Sequence, residues 1–212
     1  MKYYKLLNQD LTSYNHTEWE IGVPVTVTVE GNKMCSNQVL HCYNHPLLAV
    51  ILNPIHANLS NPKLFEISVD KIVNNDGLKF ASKSQTLLKK ISLPFLSIEQ
   101  KVEFAIKVAK TVYSDEKWNA WADQWLSGSD RSIASARSSV NEAYNIIGYN
   151  NDVSKVIRCC GYAASYAYSN ASSYVAHYVA NVVYYSKFNN DENEFNQKII
   201  ELIERIDRVE EQ

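Results

Sequence analysis

No proline follows Pro94 in this chain of 212 residues. Proline disrupts helix interiors, so the stretch after Pro94 is open to long helices, whereas Pro24, Pro46, Pro54, Pro62 and Pro94 punctuate everything before it. Long apolar runs are also missing. Nowhere do roughly 18 uninterrupted apolar residues occur, the length a membrane-spanning helix needs, and the opening MKYYKLLNQD has no apolar stretch of a secretory signal. Nor is there an excess of one charge: the formal net charge is −2, which leaves no stripe of Lys and Arg to displace the counterions of duplex nucleic acid. The four cysteines, Cys35, Cys42 and the adjacent Cys159 and Cys160, lack the spacing of a disulfide framework. These absences predict a cytoplasmic protein in a reducing compartment, with neither a membrane nor duplex nucleic acid as partner.

What is present divides at Pro94. Alternation at Val25, Val27 and Val29, and again from Lys63 to Val69, reads as half-buried strands. Asn74-Asn75-Asp76-Gly77 reads as a turn into Leu78-Lys79-Phe80, and Tyr3 to Leu7 and Val39 to Tyr43 as further strands. Pro46 to Leu52 suits a short helix stopped by Asn53-Pro54. After Pro94 the period becomes helical, beginning at Ser97 and Gln100 with capping-box spacing. A second helix carries Trp118, Trp121, Ala122 and Trp125 and ends at Gly128; a third, capped by Ser129 or Asp130, runs to Gly148. The spacing predicts a fourth from Asp152 to about Lys187, bent near Gly161, and a fifth with a heptad-like seam of Phe195, Ile199, Leu202, Ile206 and Val209. The expected fold class is α+β: a small, mainly antiparallel N-terminal sheet with a short helix over residues 1–94, then an all-α helical bundle over residues 95–212. The seam and the low charge of the preceding helices predict a homo-oligomer, the alternative being that the seam folds back on its own bundle.

Thiolate and imidazole are the ligands zinc prefers, and Cys35, His41, Cys42 and His45 lie close in sequence, with His56 beyond. Their spacing is wrong for a zinc knuckle, because His41 and Cys42 are adjacent and would face opposite sides of a strand. No structural metal is expected. The chain has no Walker loop, dinucleotide fingerprint or nucleophile elbow, so no cofactor is expected and no catalytic residue is assigned. Glu66, Asp70, His16 and His41 are available for catalysis without any spacing that singles them out.

The unusual feature is aromatic. Nine of the fourteen tyrosines fall between Tyr144 and Tyr185, although Tyr is a mediocre helix former. One explanation is packing against Ala and Ser of neighbouring helices. The other is recognition, with Tyr162, Tyr166, Tyr174 and Tyr178 stacking on a planar ligand while Arg131, Arg137 or Arg158 takes its phosphate.

The segment from Trp118 to Ser132, WNAWADQWLSGSDRS, followed by Ala-, Ser- and Tyr-rich helices, resembles uncharacterised tailed-phage proteins with an Ala/Tyr-rich helical C-terminal half. More distantly it is similar to the helical domains of predicted bacterial toxin-immunity proteins. The stretch from Cys35 to Cys42 before Pro46-Leu47 resembles a small domain found in phage and bacterial proteins of unknown function. The resemblance implies a phage-encoded protein in the host cytoplasm, acting on host defence. Three functions compete: a non-enzymatic module that sequesters a signalling nucleotide or binds a host defence protein; an enzyme that modifies or cleaves such a nucleotide with the N-terminal Cys, His and Glu residues; and a structural oligomerisation protein.

Overall fold

The computed structural model describes residues 2–169 and 171–207. It has two units, Met1–Phe95 and Leu96–Gln212. The first holds seven strands and one helix: β1 (Tyr3–Leu7), β2 (Pro24–Thr26), β3 (Leu40–Cys42), α1 (Pro46–His56), β4 (Lys63–Val69), β5 (Ile72–Asn75), β6 (Phe80–Ser82) and β7 (Ser84–Ile91). The second is helical: α2 (Ile98–Ala109), α3 (Glu116–Ser127), α4 (Ile133–Ile147), α5 (Asp152–Ala167), α6 (Ser172–Ser186) and α7 (Glu192–Asp207), with one 3-10 turn at Lys187–Asn189. The fold is α+β, as the change of period at Pro94 predicts.

The strands form two antiparallel sheets, ordered β1-β4-β7-β2 and β3-β6-β5. Reciprocal bonds between Tyr4 and Tyr43, at 2.8 and 2.9 Å, join β1 to the residue that follows β3. Pro24 lies on the edge strand β2, where its missing N–H costs no ladder bond. Strand β2 is shorter than the Val25, Val27, Val29 alternation suggests. Just beyond it, the Lys83 ammonium donates to the carbonyls of Val29, Gly31 and Gln38 and draws the chain into a loop. Leu7, Trp19, Leu40, Cys42, Phe65, Ile67 and Leu87 form a core cluster of the first unit.

Helix α1 runs through Asn53-Pro54 to His56, one turn further than the sequence suggests. Proline removes a single backbone donor here. The Asn53 carbonyl accepts from Ala57 and Asn58, and the Asn53 amide both donates to and accepts from the Leu59 backbone, so the last turn remains satisfied.

In the second unit two of the expected helix ends form, while the third helix is capped not by Ser129 or Asp130 but by Ser132, whose hydroxyl accepts from the Ser135 N–H. Ser97 and Gln100 make both bonds of the capping box, and Gly128 takes the left-handed conformation at φ 79°. The expected long helix from Asp152 is instead two, α5 and α6. Both the backbone N–H and the hydroxyl of Ser169 turn back to the Tyr166 carbonyl, an alternative to helical bonding that Ser readily offers. The seam of α7 buries Phe195, Ile199 and Ile206 together with Ile203, while Leu202 is half-buried; Val209 lies outside the described residues. Helix α7 packs on α2 of its own chain, so the described part of the seam is covered without a second copy.

Helices α4 and α5 cross at Gly161. A Cβ built there would lie 2.2 Å from Val140 Cγ2 and 3.3 Å from the Ala136 carbonyl. Val140 is β-branched and stiff in a helix, so it cannot swing aside cheaply. Gly161→Ala gains about 1 kcal/mol in helix propensity but overpacks the crossing, at a cost of about 1–3 kcal/mol. The expected result is a net loss of stability that the double variant Gly161→Ala/Val140→Ala partly restores. Urea unfolding of the two single variants and the pair measures the coupling, and additive effects would refute the clash.

Candidate functional site

Strand β1 carries a lysine inside an apolar run, Tyr3-Tyr4-Lys5-Leu6-Leu7. Alternation sends the Lys5 side chain to the interior, where it is 7 % exposed, and its Nζ donates to the His41 carbonyl (2.7 Å) and to Gln85 Oε1 (3.2 Å). The same ammonium lies 4.5 Å from the centre of the Trp19 ring. Gln85, from β7, is 1 % exposed and holds Leu40 and Ser82 through its amide nitrogen. Burial lowers the Lys5 pKa to about 8, with the Cys42 charge a smaller, opposing influence.

Around Lys5 the first unit encloses a cavity of about 400 Å³, within the roughly 300–1,000 Å³ range of small-molecule sites. Its wall includes Cys35, His41, Tyr43, His56 and Lys79, with Ser13 to Asn15 at one side. Lys79 enters from the start of β6, is 7 % exposed, and places Nζ 3.0 Å from Cys35 Sγ. Cys35 is exposed and has a left-handed backbone at φ 57°. Its N–H donates to His41 Nε2 (3.1 Å), which puts the proton of the neutral ring on Nδ1. Burial lowers the His41 pKa to about 4, helped by the positive charges of Lys79 and Lys5 and opposed by Asp76. Tyr43 Oη lies 2.9 Å from His56 Nδ1, and burial raises its pKa. No carboxylate is among the described residues that line this cavity, whereas two buried lysines are; the Asp76 charge reaches His41 and Tyr43 from outside the lining. A wider and shallower depression over residues 61–64 and 90–93 gathers no comparable chemistry, and its Lys63 ammonium is bonded to the Gln9 carbonyl at 2.6 Å.

Cys42 and His45 part from the other zinc candidates, whereas Cys35, His41 and His56 share the cavity wall. Cys42 turns into the core with Sγ towards the Phe80 carbonyl, His41 faces Cys35, and His45 caps α1 by accepting from the Leu47 N–H. Among the described residues no group of three or more His, Cys, Asp and Glu side chains is placed to hold a metal. Of the catalytic candidates only His41 lines the cavity. Glu66 pairs with Lys2 and Lys89, Asp70 accepts from the Ser84 N–H, and His16 is exposed on a left-handed turn.

In the second unit, Tyr166 stacks on Tyr174 (5.0 Å, 16°) and on Tyr178 (5.6 Å, 11°), and Tyr162 meets Tyr178 at 5.2 Å. The pairing runs in opposite directions along α5 and α6 and makes a ladder of rings. Tyr162 and Tyr174 are exposed, and Tyr166 and Tyr178 half-buried. The core beneath is built from Val, Ala and Cys, including Val156, Cys160, Ala163, Val179 and Val183. Arg158 is exposed on α5 and its charge reaches Tyr178 and Tyr144, in both of which burial nevertheless raises the pKa. Arg131 lies elsewhere: it donates from Nε to the Trp125 carbonyl (3.1 Å) and covers the Trp125 ring at 4.6 Å, closing the end of α3. Arg137 is exposed on α4.

Sequence reasoning passed over Lys5, Lys79 and Gln85. A charged residue within an apolar strand was the available signal for the two lysines, and a buried glutamine hid the alternation of β7.

Residues 1–99 match the model of a family described as a domain of unknown function, DUF7666. No curated protein and no solved structure matches the chain. The matched segment contains the whole cavity.

Proposed function

We propose that the protein is a non-enzymatic binding protein whose N-terminal cavity captures a small anionic molecule bearing phosphate or carboxylate. The observation that carries this reading is the pair of buried lysines, Lys5 and Lys79, among lining residues that include no carboxylate within the described chain. A buried charge is costly unless compensated; Lys5 is held by the His41 carbonyl and Gln85, and an anionic ligand would compensate Lys79 beside Cys35. The size of the cavity suits a nucleotide-sized molecule, in keeping with a phage-encoded protein that withdraws a signalling nucleotide from host defence.

The tyrosine ladder favours a second reading, in which Tyr162, Tyr166, Tyr174 and Tyr178 with Arg158 present stacking faces to a planar ligand or to a host protein. One experiment separates them. The full-length protein is incubated with bacterial nucleotide extract, washed and heated, and the released material identified by mass spectrometry. An intact anionic compound that is recovered from the wild type and lost from Lys79→Met supports the cavity. Recovery lost from Tyr174→Ala but kept by Lys79→Met moves the site to the ladder, and a chemically altered compound supports an enzyme.

A further inference from the structure

We propose that Cys35 is a nucleophile within this cavity, its sulfur bonding to an electrophilic carbon of a small anionic molecule held against Lys79. The inference rests on the reading of the cavity as an anion site and adds covalent capture to it. Three independent features converge on Cys35. It is the exposed cysteine of the four, the others being buried. It lines a partly open cavity large enough for a reactant. A mostly buried lysine stands 3.0 Å from its sulfur, placed to attract an anionic reactant and to hydrogen-bond the charge that develops as the reactant is attacked. The loop that carries Cys35 is held in place: His41 Nε2 accepts the Cys35 N–H, Ser36 Oγ donates to the Lys33 carbonyl, and the Lys33 N–H donates to Gln38 Oε1.

With a carbonyl reactant, the S–C bond forms while the C=O π pair moves onto oxygen. Sulfur loses its proton and oxygen gains one through Lys79, so nothing is oxidised or reduced and the adduct reverses by the same path. With a haloacetate, the S–C bond forms as the carbon–halogen bond breaks, the halide leaves with the bonding pair, and the thiol proton passes to buffer.

Iodoacetate and iodoacetamide present the same kind of reacting carbon with and without a negative charge, and they are the probes. Their rates at Cys35 are measured on the full-length protein by intact and peptide mass, with Cys35→Ser as the baseline. The ratio of the iodoacetate rate to the iodoacetamide rate is expected to exceed that of glutathione by about tenfold or more, the size of effect a focused positive field exerts on an anionic reactant. Lys79→Arg should keep the raised ratio and Lys79→Met should return it to the glutathione value. The wild-type ratio decides alone if Lys79→Met does not fold. Slow labelling by both reagents, in protein that still retains a bound anion in the heat-release experiment, overturns the nucleophile and leaves anion capture standing. A wild-type ratio equal to that of glutathione, in protein that retains no anion in the heat-release experiment, overturns both.

Discussion

Replacing Phe195 by Ala is expected to lower the unfolding free energy of the helical unit by about 3–5 kcal/mol, the cost of emptying a fully buried aromatic site. Phe195 is 0 % exposed and begins the row of Ile199, Ile203 and Ile206 that α7 lays into its own chain beside α2. The physical claim is that this apolar face is covered within one molecule. The loss should therefore be independent of protein concentration, whereas a seam shared between two copies would make the unfolding midpoint rise with concentration. Phe188, which is 54 % exposed, is the control, and Phe188→Ala should cost less than about 1 kcal/mol. Urea unfolding followed by far-ultraviolet circular dichroism at several protein concentrations provides the comparison. A small loss at Phe195, or a midpoint that shifts with concentration, would contradict the intrachain packing.

The stability of the wild type relative to Lys5→Met is expected to rise as pH increases from about 8 to 10.5, the interval between the folded pKa of Lys5 and its ordinary value. Across that interval the folded protein binds fewer protons at Lys5 than the unfolded chain does, so removing protons favours folding. The relative gain is on the order of 3 kcal/mol, from about 1.4 kcal/mol for each pH unit. Other groups act oppositely. Burial pushes the Cys42 thiol up to about 12 and Cys159 to about 11, and also raises Cys160 and Tyr43, so each loses stability as alkaline pH ionises it in the unfolded chain. Both proteins carry those groups, so they largely drop out of the difference. A difference that stays flat with pH would show that the Lys5 ammonium is stabilised where it lies as well as it is in water.

The acid side has its own signature at the same site. His41, held down to about 4, binds fewer protons folded than unfolded between about 4 and 6.5, so stability is lost as pH falls through that window. Protonation also puts a hydrogen on Nε2, which can then no longer accept the Cys35 N–H. The protection factor of the Cys35 amide should fall as the pH is brought down to about 4, where the folded ring gains its proton, and His41→Gln should remove that pH dependence. Unchanged protection at acid pH would disprove the coupling.

The residue pattern by itself determined the change from strand period to helix period around Pro94, strands β1 and β4, the capping box at Ser97 and Gln100, and the helix end at Gly128. These are local matters, set by alternation, by a side-chain oxygen within reach of a free N–H, and by the freedom of glycine to turn left-handed. Tertiary structure alone decided that Pro54 sits inside α1, that the stretch after Asp152 folds as the α5–α6 hairpin, and that β7 is a strand despite its polar Gln85. The partners responsible, Leu59 for Asn53 and Lys5 for Gln85, are respectively 6 and 80 residues away in sequence. The candidate site divides in the same way. The tyrosines of the ladder were legible because their excess is compositional, and their helical spacing put them within reach of one another. The cavity was not, because it exists only where β1, the Cys35 loop and β6 converge, bringing a lysine at position 5 and another at position 79 to one wall; no spacing along the chain encodes a distance that the fold alone creates.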